Sequence, residues 1–250
     1  MPMAGLDLPA RVLVAGAAGA IGSALAARLA GAGVSVTGTD LGERPQTSAA
    51  SDWIAADVTH PGAAETLADA VAPGLGGFVY AAGILDPAPW DVVEPEAMDR
   101  IFAVNVKAPF LMARALATRM EPGGAMLFVG SIAALRASPK TPFYGASKAA
   151  LHHLAATLAV ALAPRGIRVN VIAPGLIDTP LSDALDRRLA DERGVTIAEV
   201  RAERDGAVPL GRRGTPEEVA AAALPLLARE ASYTTGSVVF TAGGALAGVT

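Results

Sequence analysis

The stretch "VLVAGAAGAIGSAL", residues 12–25, decides how the rest of the chain is read. An apolar run, small residues with glycine at 16, 19 and 22, then alanine and leucine read as a strand, a tight turn and a helix. Glycine permits the turn, and it lets backbone N–H groups approach an anion at the helix N-terminus, where the dipole favours negative charge. The G-x-x-G-x-x-G spacing alone is a weak signal, because Ala/Gly-rich turns are common. Its place after a strand and at the opening of a helix, in the first such unit, makes Gly16, Gly19 and Gly22 candidates for a dinucleotide pyrophosphate. The second strand ends "VSVTGTD", with Asp40 lying 18 residues beyond Gly22. A carboxylate there accepts hydrogen bonds from the adenosine ribose and repels a 2′-phosphate, and the loop carries no Arg or Lys for that phosphate. NAD is therefore expected over NADP. The plain alternative is a turn aspartate, and Arg44 weakens the NAD reading because it is near enough to swing toward a phosphate. Asp57, closing "WIAADV", is placed either to meet the adenine amino group or to cap a helix.

Short β-branched runs alternate with Ala- and Leu-rich segments along the whole chain. Strands are expected at 12–15, 34–40, 53–57, 77–81, 125–129, 168–172 and 237–240, apolar on consecutive positions as in a parallel sheet covered on both faces. Helices are expected at 20–32, 63–71, 95–120, 142–163 and 216–227. In the fourth, Leu151, Leu154, Leu158 and Leu162 share a stripe. "TPEE" begins the last, with Thr215 as N-cap, Pro216 at the first helical position and Glu218 closing a capping box. The alternation predicts a doubly wound α/β domain, one parallel sheet of about seven strands with helices on both faces, spanning residues 1–250. The charged segment 180–209, "PLSDALDRRLADERGVTIAEVRAERDGAVP", breaks the rhythm. It reads equally as a substrate lid or as a solvated helical excursion.

The 250 residues are 52% hydrophobic and 18% charged, enough for a large core, and the net charge of −4 comes with no basic block. Neither nucleic acid nor an anionic membrane is expected as a partner. There is no cysteine, which excludes disulfides and thiolate chemistry and is compatible with the cytoplasm. The apolar run behind Arg11 lacks the basic leader of a secretion signal, and no charge-free stretch of about 18 apolar residues predicts a membrane span. Three histidines and no cysteine give no expectation of a metal. His152 and His153 point about 100° apart on a helix, and His152 is expected at a subunit contact.

"FYGASKAAL", residues 143–151, puts Tyr144 and Lys148 four apart at a helix start, one above the other on one face. Ser131, at the end of the strand "AMLFV", lies 13 residues before Tyr144. In an open parallel sheet all three project at the strands' carboxyl ends, where chemistry collects. A hydroxyl, a phenol and an ammonium together suggest proton transfer to or from a substrate oxygen. A tyrosine serving as base near neutral pH needs its pKa lowered by roughly 2–3 from about 10, on the order of 3–4 kcal/mol. A nearby cation supplies a shift of that order, and a positively charged nicotinamide ring adds to it.

With these residues the chain resembles a short-chain dehydrogenase/reductase of the compact, NAD-preferring kind, from about Val12 to Gly244. The resemblance implies Tyr144 as acid/base, Lys148 lowering its pKa and bonding the nicotinamide ribose, and Ser131 positioning the substrate oxygen. "VNVKAPF" resembles the family segment whose asparagine, here Asn105, helps hold a proton-relay water through a helix bend. "NVIAPGLIDTPL" resembles its proline-glycine segment, where the Ile177 backbone and Thr179 hydroxyl orient the carboxamide beside Pro174 and Gly175. Further cofactor contacts fall on Ala20 and Ile21, on Asp57 and Val58, and on Ala82 and Gly83. The implied activity is NAD-dependent interconversion of a secondary alcohol and a ketone in a cytoplasmic homo-oligomer, a tetramer or dimer.

Departures from that pattern are Ala15 for the loop's threonine, Ala20 for its middle glycine, "YAAG" at 80–83 for the Asn-Asn-Ala-Gly strand end, and Ala242 for an aspartate. Ala15 and "YAAG" remove both partners of one polar contact, which is nearly neutral, whereas the Ala20 methyl is placed to crowd the pyrophosphate. Ala133, Ser138, Phe143, Leu176, Trp90 and the 180–209 segment are expected to form a mostly apolar pocket. No Arg or Lys is placed for a substrate carboxylate. The alternatives are an NADPH-dependent 3-oxoacyl-thioester reductase, against which Asp40 argues, and a catalytically silent nucleotide-binding regulatory protein, against which the intact Asn105, Ser131, Tyr144 and Lys148 set argues.

Overall fold

Consecutive apolar residues in the central strands demand cover on both faces, and a computed structural model, describing residues 5–247, provides it. The strands are β1 (Arg11–Ala15), β2 (Ser35–Asp40), β3 (Asp52–Ala55), β4 (Leu75–Tyr80), β5 (Met120–Val129), β6 (Arg168–Pro174) and β7 (Val238–Thr241). All pair in parallel in the order β3-β2-β1-β4-β5-β6-β7. The order reverses between β1 and β4, which opens a crevice at the carboxyl ends of those strands. Along β1 the side chains alternate: Leu13 and Ala15 join one core layer with Phe78, Phe128 and Met112, while Val12 and Val14 join the other with Leu25 and Leu224.

The helices are α1 (Ala20–Gly31), α2 (Ala63–Ala70), α3 (Pro95–Phe102), α4 (Ala108–Ala117), α5 (Pro142–Leu162), α6 (Pro180–Arg193), α7 (Ile197–Gly206) and α8 (Pro216–Leu227). The expected capping box of Thr215 and Glu218 starts α8. At its other end the buried Arg168 donates to the carbonyls of Leu226, Leu227 and Ala228, a cation set on a helix C-terminus. Helix α5 is long and apolar enough to cross a bilayer by length and composition, yet Leu151, Ala155 and Leu158 bury in the sheet's core layer.

Two expectations are corrected. The predicted helix 95–120 is three pieces: α3, a π-helical turn over Ala103–Lys107, and α4, after which Met120 already belongs to β5. Pro109 supplies the reason, because it has no N–H to return to the carbonyl five residues back in the π register, that of Val104, while Ala108 already bonds Ala103. Inside the turn, the Tyr80 hydroxyl donates to the Val104 carbonyl at 2.7 Å. Tyr80 is fully buried on β4, so the end of this strand is tied to a helix by its side chain as well as to β1 and β5 by its backbone. β3 ends at Ala55, two residues earlier than expected, which leaves Asp57 in the following turn.

The 180–209 segment is the helical hairpin α6–α7, joined through Gly194 in the left-handed conformation. Asp186, at 0% exposure, receives Arg204 and Arg213, the latter at 3.0 Å. Arg213 also bonds Asp205 at 2.9 Å, and Arg201 bonds Asp183. One buried carboxylate thus ties both helices to the loop before α8. Breaking a buried pair leaves an uncompensated charge and costs about 3–5 kcal/mol. Asp186→Asn is expected to lower Tm by on the order of 10 °C, checked by calorimetry. Tyr80→Phe, which removes one hydroxyl and strands the Val104 carbonyl, is expected to cost about 1–3 kcal/mol, seen in the same scan.

Candidate active site

The glycine loop runs from β1 into α1, and its glycines differ in what they do. Gly16 has φ +81°, and a Cβ there would sit 2.3 Å from the Ala82 nitrogen. A Cβ on Gly22 would lie 2.0 Å from the Gly16 carbonyl oxygen, so loop and helix close only without side chains. Gly19, the N-cap residue of α1, is less constrained, with the nearest atom 3.3 Å from a would-be Cβ. The first turn, beginning with the half-exposed Ala20 and Ile21, has no acidic residue, so its free N–H groups and dipole face the crevice unopposed. Ala15 is fully buried in apolar core, and across from it on β2 the buried Thr39 hydroxyl has no hydrogen-bond partner.

Asp40 closes β2 beside that loop. One carboxylate oxygen accepts the Ala18 N–H at 3.0 Å and the other the Leu41 N–H at 2.9 Å. The following turn is anchored by Trp53, whose indole donates to Gly42 at 2.9 Å and whose ring occupies the space above Gly38. Arg44 is engaged elsewhere, donating to the carbonyls of Ser48 and Ser51. Asp57 accepts both the hydroxyl and the backbone N–H of Thr59, which hold its carboxyl below the usual range. It caps a turn rather than a helix, because α2 begins only at Ala63. Val58, next to it, packs on the core layer. Gly16, Gly19, Ala20, Gly22, Asp40, Asp57, Val58 and Ala82 thus gather around the ends of β1, β2 and β3.

The second group lines a cavity of about 430 Å³ between the strand ends and the α6–α7 hairpin. Ser131, Tyr144 and Lys148 open onto it, together with Ile21, Gly83, Pro174, Gly175, Ile177 and Thr179. The buried Lys148 Nζ donates to the Val129 carbonyl at 2.9 Å and lies 5.8 Å from the centre of the Tyr144 ring. A Cβ on Gly83 would approach Nζ to 3.4 Å, so glycine keeps this corner open. Asn105, fully buried in the π turn, exchanges two hydrogen bonds with the backbone of Ile84 and donates to Ser147, each at 3.0 Å. Ser147 in turn donates to the Tyr144 carbonyl at 2.8 Å, which links the turn to the start of α5. Thr179 caps α6 by accepting the Ser182 N–H. Gly175 faces Ala242, where a Cβ on the glycine would lie 2.8 Å from the alanine Cα.

The electrostatics differ from expectation. Burial raises the Tyr144 phenol, and a hydrogen bond from Ser131 opposes that rise without cancelling it. Burial also pulls Lys148 down to about 8. In the chain alone burial dominates both groups and pushes each toward its uncharged form.

Several pocket assignments change. Ala133 and Leu176 line the cavity, but Ser138, Phe143 and Trp90 do not. Trp90 is 70% exposed, in a loop bonded through its backbone to Pro139. Arg136 and Arg204, which sequence reasoning passed over, stand on the cavity wall with Leu85, Leu181 and Leu185. Arg204 is neutralised by Asp186. Nothing in the spacing of the 180–209 segment singles it out, because its partner Asp186 lies 18 residues away on another helix. His152 turns inward behind Ser131 instead of outward to a partner.

The family model described as enoyl-(acyl carrier protein) reductase matches residues 16–245. Galactitol 2-dehydrogenase of Agrobacterium fabrum is 33% identical over 233 residues, covering 88% of this chain and 91% of the relative. L-2,3-butanediol dehydrogenase of Corynebacterium glutamicum is 31% identical over 251 residues, with 94% and 97% covered. The crystal structure of a short chain dehydrogenase family protein from Francisella tularensis superposes with a TM-score of 0.88 at 26% identity, covering 95% of this chain and 99% of that one. With the parallel sheet, the glycine loop and the Ser131, Tyr144 and Lys148 cavity in view, the chain belongs to the short-chain dehydrogenase/reductase family.

Proposed function

We propose that the protein is an NAD-dependent oxidoreductase that interconverts a secondary alcohol and a ketone. The observation that carries this reading is the convergence of Ser131, Tyr144 and Lys148 on one cavity beside a glycine loop to which Asp40 is bonded. The dinucleotide, when bound along the glycine loop, supplies the hydride acceptor or donor and, oxidised, a positive charge. Tyr144 holds the proton that moves to or from the substrate oxygen. Ser131 hydrogen-bonds both that oxygen and the phenol and fixes their approach. Lys148, held on Val129, would bond the nicotinamide ribose. Asn105 is a positioning residue, acting through Ser147 on the first turn of α5. Because burial keeps the phenol protonated in the chain alone, the resting site is set to give a proton to a ketone oxygen. Taking a proton from an alcohol draws on the oxidised ring's charge, and that direction is favoured by the NAD preference.

Asp40 and the restrained Arg44 support NAD, since neither offers a 2′-phosphate a partner. Two relatives named for galactitol and 2,3-butanediol support a hydroxylated small molecule as substrate. The α6–α7 hairpin serves as the substrate lid, as its leucines on the cavity wall suggest. Assembly as a tetramer or dimer in the cytoplasm belongs to the same reading, and Val160, 79% exposed on α5, supports the assembly.

Tyr144→Phe is expected to lower kcat by roughly 10²–10⁴-fold without loss of NAD binding, measured as NAD reduction over an alcohol panel. Unchanged turnover would instead favour a silent nucleotide-binding protein. The parent is expected to turn over with NADH and hardly with NADPH; the opposite ranking would favour the 3-oxoacyl-thioester reductase. Asp40→Ser is expected to weaken NAD binding by roughly tenfold to a hundredfold, the worth of hydrogen bonds to a charged group, and to narrow the gap between the two coenzymes.

A further inference from the structure

Tyr144, Lys148 and His152 follow one another at four-residue intervals on α5 and so share a face. Lys148 donates to the carbonyl of Val129. One turn further, the His152 Nε2 lies 3.4 Å from the backbone nitrogen of Ser131, as the acceptor of its N–H. The two side chains therefore clamp one short run of β5's exit, a donor on residue 129 and an acceptor on residue 131. Between them, Gly130 makes room: a Cβ there would lie 2.2 Å from Nε2 and 2.9 Å from Cδ2 of the imidazole. The Gly130 φ is ordinary, so space rather than backbone freedom explains this glycine. Its own N–H is fixed to Ile172 at 2.7 Å. The Ser131 hydroxyl oxygen accepts the Ala133 N–H at 3.1 Å, which leaves its proton to donate toward Tyr144 or a substrate.

We propose that His152 is a positioning residue for Ser131: its neutral imidazole, seated in the gap at Gly130, accepts the Ser131 backbone N–H and sets the angle at which that hydroxyl meets Tyr144. The inference rests on the reading of Ser131 and Tyr144 as the proton-transfer pair. A ring accepting at Nε2 carries its proton on Nδ1, and an imidazolium, donating at both nitrogens, cannot make this contact. Burial, and secondly the Lys148 ammonium, push His152 down to about 4, which keeps the acceptor available at ordinary pH.

The full chain and the variants His152→Leu, His152→Gln, Ser131→Ala and Tyr144→Phe are assayed for NAD reduction with 2,3-butanediol and galactitol, alongside nitrogen NMR of the imidazoles. His152→Leu is expected to lose roughly tenfold to a hundredfold in kcat, the scale of a misplaced reacting group, with the alcohol KM and NAD affinity nearly unchanged. His152→Gln, which returns an acceptor at similar reach, is expected to recover most of that loss. The His152 Nε2 signal, assigned by its absence from the glutamine variant, is expected to be that of an unprotonated acceptor. A proton found on Nε2 overturns the inference whatever the activity, and so decides it if His152→Leu fails to fold or neither alcohol is turned over. A kcat for His152→Leu equal to the parent's, with Ser131→Ala and Tyr144→Phe inactive, also overturns it. Ser131→Ala and Tyr144→Phe as active as the parent would instead overturn the proton-transfer reading on which it stands.

Discussion

The contact between the Lys148 ammonium and the Val129 carbonyl is the constraint on which the site depends. Taking an ammonium out of water costs several kcal/mol unless its donors are met, and the backbone oxygen at the end of β5 meets one of them. The bond docks the first turns of α5 on the sheet and so decides where the Tyr144 phenol sits. The same burial that makes the contact strong weakens the charge, drawing Lys148 to about 8 while the phenol is raised. The phenol is therefore not prepared for base chemistry by the polypeptide alone. The chain contributes geometry and a dry setting, and the electrostatic balance is completed by what binds there.

The cavity has two walls of different character. Its floor is made of strand ends, backbone and small residues, rigid because they belong to the sheet. Its roof is the α6–α7 hairpin, whose leucines face inward and whose charges converge on Asp186. A charged segment can border an apolar pocket because its carboxylates and guanidiniums satisfy one another. The hairpin of residues 180–209 thus presents leucines to the cavity and gathers its charges on Asp186.

Much of this was legible in the sequence where local rules and global fold agree. Consecutive apolar strands, the glycine loop, the Thr215 capping box and the Tyr144–Lys148 spacing each determine geometry over a few residues, and they held. What escaped depended on contacts far apart in the chain. Pro109 announced a break in the helix predicted over 95–120, but only the Tyr80 hydroxyl, 24 residues before its partner Val104, shows how the break is stabilised. Trp90 read as a pocket residue from its neighbours, yet the side of a loop on which an aromatic lies is set by packing. Arg204 could not be placed until Asp186 was seen to be buried. The burial of Tyr144 was missed for a related reason: spacing gives proximity, whereas burial comes from the whole surrounding fold.

The Tyr80 bond has a consequence for how such chains diverge. Where a strand end is braced by short amides, its neighbours are other strands and the helix opposite is free to vary. Here the brace is a long phenol reaching an unpaired helical carbonyl, so the identity of residue 80 and the proline at 109 become matters of mutual dependence. A lineage that drops one is released from keeping the other, and the two positions should be inherited together.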